Sequence, residues 1–411
     1  MSPRRILYLA AHGGFAGQGI PLGGGAAVSE MLLAEWSRCG VDVEMVAPSV
    51  LGGTAPGGRE LVEYNERQYA AFCDAFREAS TAEALRHDPA TTSILVNDIS
   101  EGPDFARLRA AGFRVVTVYH VDVVAYIAAI YLRGVAGPAA LARLWERLRA
   151  LGAGRIAPRI LRLIFEQQRA SLAHSDAVVV PSAAMKEILL AGYADTPAER
   201  IHVVPWGAPP EAAADPAIDL RREYGVPGEA RVLLCLSRIS PEKGQDALLE
   251  SLLDWEGSGR MPARPVWLFI CGEAAFMHGR RHMERLRALA SRLKRVRVVF
   301  PGYVAGARKR AFFEMADLYV FPSRHESYGL TLMEALQAGL PAVCAESAGS
   351  REIMAPEFGV TVPAGRPLWP AIAGLLEDDG RRVAMGRAAG EFARARPFAA
   401  SAARLAELLL G

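Results

Sequence analysis

The stretch "LYVFPSRHESYGLTLMEALQAGLPAVCA" (318–345) reads as a complete unit: an apolar run, a polar loop, a helical pattern and a second apolar run. The first run ends a strand near Ser323, the helix begins near Thr331, and "PAVCA" returns as a strand. Two strands joined by a helix lie parallel in one sheet, with the loop at the carboxyl end of the first. That loop carries Glu326 and Gly329, and Glu334 follows inside the helix. In one continuous helix, residues eight apart would stand about 12 Å apart along the axis and roughly 80° around it, a poor geometry for joint action. The pair makes sense only if one carboxylate precedes the helix start and the other follows it.

The same rhythm runs through the chain. "RILYLAA", "VDVEMVAP", "SILVND", "RVVTVYH", "AVVVPS" and "IHVVP" are predicted strands of the first half; "RVLLCLS", "VWLFICG", "VRVVFPG", "LYVFPS", "PAVCA" and "GVTVPA" are those of the second. Continuous apolar strands separated by helices predict parallel sheets covered on both faces. With 411 residues, two domains are expected. The seam falls at "VVPWGAPPEAAADPAIDL" (203–220), giving α/β doubly wound, Rossmann-like domains over 1–205 and 206–390, facing each other across a cleft, and a final helical segment over 391–411.

Composition narrows the function. A net charge of +2 gives no general reason for a nucleic-acid partner. The five cysteines are scattered and read as small apolar residues of a reducing compartment. The basic start followed by "ILYLAA" reads as a first strand rather than a signal peptide, and no run has the length of a membrane span, so a cytoplasmic protein is expected. Residues 122–170 break the rhythm with two or three helices, and between Arg133 and Arg169 eight arginines face Glu146 and Glu166. This is either a solvated helical face, a lip of an acceptor site, or a patch for an anionic membrane surface.

At the loop of 318–345, Gly329 permits close approach and the N–H groups of Leu330 and Thr331 can face an anion. A loop carboxylate, a phosphate-binding helix start and a second carboxylate suit a ligand with hydroxyls on both sides of a phosphate, such as a nucleotide-sugar. Taken singly, Glu326 reads as an N-terminal capping acid and Glu334 as a surface residue. In "LSRISPEKGQDALLE" (236–250), Arg238 and Lys243 flank a turn at another strand end. Two such cations would repel without an anion between them, which suggests a diphosphate. "GIPLGGGAAVSEMLLAEW" (19–36) sets Gly23, Gly24 and Gly25 before a helix, without the spacing of a dinucleotide fingerprint. His120 ends a strand at the same edge, His12 is a weaker candidate, and Asp122 stands where it could orient His120 or meet an acceptor. With no DxD, HExxH or Cys/His cluster, metal-independent chemistry without a cofactor is expected.

Together these residues resemble glycosyltransferase family four, the retaining enzymes of the GT-B fold, over essentially the whole chain. Glu326 and Glu334 match its E-x7-E motif, Arg238 and Lys243 its phosphate site, "PLGGGAAVSE" its glycine loop, and "VVPWGA" its interdomain stretch with Trp206 replacing Asn. The resemblance implies an acceptor-binding first domain, a nucleotide-sugar-binding second domain, and a last helix returning to the first. It implies that Glu326 receives donor-sugar hydroxyls, with backbone contacts from Tyr328, Gly329 and Leu330. Glu334 would take the ribose, Arg238 and Lys243 the diphosphate, and His120 a sugar hydroxyl or the acceptor. Gly24 would offer its amide, Gly25 and Asp122 would lie toward the acceptor, and Tyr303 and Val304 would hold the base. "CGEAAF" (271–276) departs from the family's G-x-G, and Arg351 adds a charge. The implied reaction moves a hexosyl unit of glucosyl or N-acetylglucosaminyl type from a UDP- or GDP-sugar to an acceptor hydroxyl. The 122–170 region resembles enzymes acting on aminocyclitol-type natural products; lipid- or polysaccharide-directed transfer at a membrane face, a nucleotide-sugar epimerase and a non-catalytic binding module are the other readings.

Overall fold

The computed structural model describes residues 5–15, 23–130, 137–274 and 279–411. Of the positions singled out above, 19–22, Arg133, Ala275 and Phe276 lie outside them. The chain divides into two compact units, Met1–Trp206 with Ala399–Gly411, and Gly207–Phe398.

The first unit holds a six-stranded sheet of β1 (Arg5–Leu9), β2 (Val43–Val46), β3 (Thr92–Val96), β4 (Arg114–Val118), β5 (Ala177–Val180) and β6 (Ile201–Val203). Its order is β2-β1-β3-β4-β5-β6, every pairing parallel. The second unit holds β7 (Arg231–Leu236), β8 (Val266–Cys271), β9 (Val296–Gly302), β10 (Leu318–Phe321), β11 (Ala342–Ala345) and β12 (Gly359–Val362), ordered β12-β11-β10-β7-β8-β9 and again parallel. All twelve apolar runs are strands. Helices cover both faces, so β3, β5 and β10 are buried at every residue. In each sheet the winding reverses once, between β1 and β3 and between β7 and β10. The carboxyl ends beside such a reversal leave a crevice that no crossover fills.

The helix Asp379–Arg394 runs unbroken through position 390, so the chain leaves the second unit at Phe398 rather than at 391. The last helix, Phe398–Leu410, then docks on the first unit. Its carbonyls accept from Trp36 Nε1 (Ala402, 2.9 Å), Ser93 Oγ (Leu409, 2.7 Å) and Arg114 Nε (Leu408, 2.9 Å).

Two glycines let the strand ends of the second unit crowd together. A Cβ on Gly272 (φ 143°) would sit 1.9 Å from the Ser237 carbonyl oxygen, and one on Gly244 (φ 66°) 2.0 Å from that of Pro322. Gly272→Ala is therefore expected to destabilise the protein by about 3 kcal/mol or more, through overlap added to backbone strain. Gly259→Ala, also at positive φ but with open space around it, is expected to lose only about 1 kcal/mol. Thermal unfolding of the pair checks this; equal losses would contradict the close-approach account.

Candidate active site

The β7/β10 reversal brings three of the singled-out residues, Arg238, Lys243 and Glu326, into one network. After β7 the chain makes the short helical turn Pro241–Lys243 and enters helix Gln245–Gly257. After β10 it runs through Glu326 to Gly329, which starts helix Leu330–Gln337. The two loops are tied together: Arg324 N donates to Glu242 O (2.9 Å), and Arg324 Nη1 lies 2.8 Å from both Pro241 O and Asp246 Oδ1. Lys243 Nζ then meets Glu326 Oε2 at 2.6 Å, joining the ends of β7 and β10. Arg238 stands 3.8 Å from the buried Glu242.

Gly329 adopts the left-handed conformation (φ 108°), and no side chain caps its helix. The amide end of that helix thus carries its partial positive charge toward the ligand side of the sheet. Neither bland reading of the carboxylates holds. Glu326 does not cap the helix, and Glu334 is only 16% exposed and bonded to Lys309 Nζ at 2.6 Å. Tyr328 is buried and accepts from Gly207 N at 2.8 Å; burial pushes its hydroxyl up to about 12. Behind the loop, Gly349 N donates to Glu326 O at 2.9 Å. After β9, Tyr303 is exposed and Val304 buried.

In the first unit, helix Gly24–Arg38 starts at Gly23 (φ 101°), and a Cβ on Gly25 would meet the His120 ring at 3.2 Å. The ring stacks on Trp206, centroids 5.5 Å apart. His120 Nε2 lies 2.8 Å from Asn97 Oδ1, which also accepts from Tyr8 Oη at 2.5 Å. A carboxamide oxygen only accepts, so Nε2 carries the proton and Nδ1 keeps its lone pair. Burial pushes His120 down to about 4, against the pull of Asp98 and with the push of His12. His12 Nδ1 lies 3.0 Å from Asp98 Oδ1. Burial works to raise Asp98, but His12 holds it below its ordinary value. Glu101 is buried, raised by that burial, and receives the Tyr69 hydroxyl.

A neutral His120 with a free Nδ1 is an acceptor for a hydroxyl. Nitrogen NMR is expected to show the Nε2–H form down to about pH 5. An ordinary midpoint near 6.5 would contradict it. The unfolded chain takes up this proton near 6.5 and the folded one only near 4, so the contribution to stability is full above that window and declines as pH falls through it.

Two expectations are corrected. Asp122 does not orient His120: its Oδ1 caps the next helix through Val124 N (2.9 Å) and Ala125 N (3.1 Å) and takes Gln168 Nε2 (3.2 Å). Nor do Arg238 and Lys243 lack counter-charge within the chain, since Glu242 and Glu326 supply it. Asn97, Asp98, Glu101, Lys309 and Gly349 escaped the reading of the sequence. The first two end β3 and were open to the same edge rule that found His120.

Comparison with known proteins agrees with this architecture. Residues 22–212 match the model of "Glycosyltransferase Family 4" and 217–392 that of "Glycosyl transferases group 1". The chain is 33% identical over 260 residues to a D-inositol 3-phosphate glycosyltransferase of Corynebacterium glutamicum (strain R), covering 60% of this chain and 59% of that protein. It is 33% identical over 230 residues to a GDP-mannose-dependent alpha-(1-6)-phosphatidylinositol monomannoside mannosyltransferase of Mycobacterium tuberculosis (strain CDC 1551 / Oshkosh), covering 52% and 57%. The chain thus spans less than two thirds of these curated relatives. Sucrose-phosphate synthase from Thermosynechococcus elongatus shares the fold, with a TM-score of 0.72 at 20% identity over 98% of both chains. With its two halves matched by the two models and both sheets wound in this way, the chain belongs to glycosyltransferase family 4 and has the GT-B fold.

Proposed function

We propose that this protein transfers a hexosyl unit from a nucleotide-sugar to an acceptor hydroxyl, with retention at the anomeric carbon and without a metal. The observation that carries this reading is the Lys243–Glu326 bridge across the β7/β10 reversal, beside the uncapped helix start at Gly329. An incoming diphosphate takes over Lys243 and Arg238 and meets the helix amides, which releases Glu326 to accept from the sugar hydroxyls. Glu334, on the far side of the helix start, accepts from the ribose, and Tyr303 and Val304 border the base. As the phosphate leaves, Arg238, Lys243 and the helix dipole stabilise its charge, and its oxygen takes the acceptor's proton.

The acceptor end belongs to the first unit. His120 Nδ1, Asp98 and Glu101 are acceptors of hydrogen bonds, which suits a group rich in hydroxyl or ammonium donors. Two of the relatives are named for inositol-based acceptors, so a cyclitol is the class we favour, in an uncharged or amine-bearing form. Gly25, where a Cβ would meet the His120 ring, keeps a side chain out of its way, and Gly24 precedes it at the helix start.

A panel of UDP- and GDP-sugars is expected to raise the melting temperature by mass action, one donor standing out. Turnover of that donor is expected to be unchanged by a chelator. No stabilisation by any nucleotide-sugar would overturn the reading, and activity lost to the chelator and restored by a divalent ion would overturn the metal-free part.

A further inference from the structure

The arginine-rich region folds as helix Pro138–Ala150, a short 3-10 turn Ala153–Ile156, and helix Arg159–His174. Its inner side is well anchored: Trp145 and Phe165 stack at 4.9 Å inside a cluster with Cys73, Val124, Leu163 and Ile164. Its outer side is unlike the rest of the described surface. Leu151 is 81% exposed and Ile156 90%, the two highest values among exposed large apolar side chains, and Leu144 is 50% exposed. Leu144, Arg147 and Leu151 recur at helical spacing, so they share one face.

The charges on this corner divide in two. Arg149 and Arg169 pair with Glu146, Arg159 pairs with Asp74, and Arg143 donates to Ala191 O at 3.0 Å. Among the described residues, the guanidinium groups of Arg147, Arg155 and Arg162 have no partner, and all three are exposed.

We propose that this corner docks on an anionic lipid bilayer, with Leu144, Leu151 and Ile156 entering the headgroup–acyl boundary and Arg147, Arg155 and Arg162 meeting lipid phosphates. Apolar side chains half to nine-tenths exposed beside uncompensated cations are what an interfacial element presents. A second copy of the chain fits poorly, because a self-complementary contact would set three unpaired cations against three more. A flat anionic surface satisfies the apolar and the cationic groups together. The corner is already folded over the stacked Trp145–Phe165 pair, so docking needs no folding step. This inference is independent of the donor reading, because it concerns the protein alone.

The test is co-sedimentation of the full chain with vesicles of phosphatidylcholine alone or of equal parts phosphatidylcholine and phosphatidylglycerol. Binding to the mixed vesicles only, weakened by salt, is expected. The triple variant R147Q/R155Q/R162Q should lower the partition coefficient roughly a hundredfold at low salt, about fivefold per arginine. L151D/I156D should abolish partition while keeping the wild-type melting temperature. Equal binding by both variants, indifference to lipid charge, or a concentration-dependent dimer that L151D/I156D dissociates would each overturn the proposal.

Discussion

Lys243→Ala is expected to lower kcat by about 10²–10³-fold while leaving the protein folded. Lys243 Nζ is held at the reversal by its 2.6 Å bond to Glu326, and the loops that carry the two residues are stapled through Arg324 and Glu242. On the proposed assignment its charge counts most when the diphosphate departs, so kcat should fall more than KM rises. The double variant Arg238→Ala/Lys243→Ala should be slower still, because the proposed assignment has Arg238 support the same developing charge. Initial rates at saturating donor, with melting curves as the folding control, check this. Near-normal turnover in the double variant would remove the phosphate assignment.

The second large effect comes from a residue that need not touch the ligand. A Cβ on Gly349 would lie 2.6 Å from Tyr328 O and 2.9 Å from Glu326 Cγ. The overlap is with backbone and with the stem of Glu326, so Gly349→Ala must push the 326–328 segment out of register. Displacements of about 1 Å at positioning groups lower rates by about 10²-fold. Gly349→Ala is accordingly expected to lose about two orders of magnitude in kcat/KM with a smaller loss of stability than Gly272→Ala. Full activity in Gly349→Ala would show that Glu326 is not held from behind.

The sheets were legible because every strand is a continuous apolar run, buried on both faces, and such runs stand out without any structural information. The reversal points then follow from topology, and a rule about carboxyl ends of strands is enough to find Arg238, Lys243, Glu326, Gly329 and His120. Lys309 was hidden because it reaches Glu334 from a helix that has no strand-end signature. Asp98 and His12 pair across two strands, which no spacing in the sequence announces. The supposed repulsion of Arg238 and Lys243 failed for the same reason, since their carboxylate partners depend on how loops are stapled. That Asp122 caps a helix rather than orients His120 was hidden, because a helix-capping acid looks in sequence like a polar neighbour of His120.

The central claim is that the two glutamates read opposite ends of one donor. Titration calorimetry of Glu326→Gln and Glu334→Gln with a nucleoside diphosphate and with the matching nucleotide-sugar tests it directly. The account predicts that Glu334→Gln weakens both ligands alike, by about tenfold for a lost charged hydrogen bond. Glu326→Gln should weaken the nucleotide-sugar by a similar factor and leave the nucleoside diphosphate bound as before. Equal losses of both ligands in both variants would contradict the assignment of one carboxylate to the sugar and the other to the ribose.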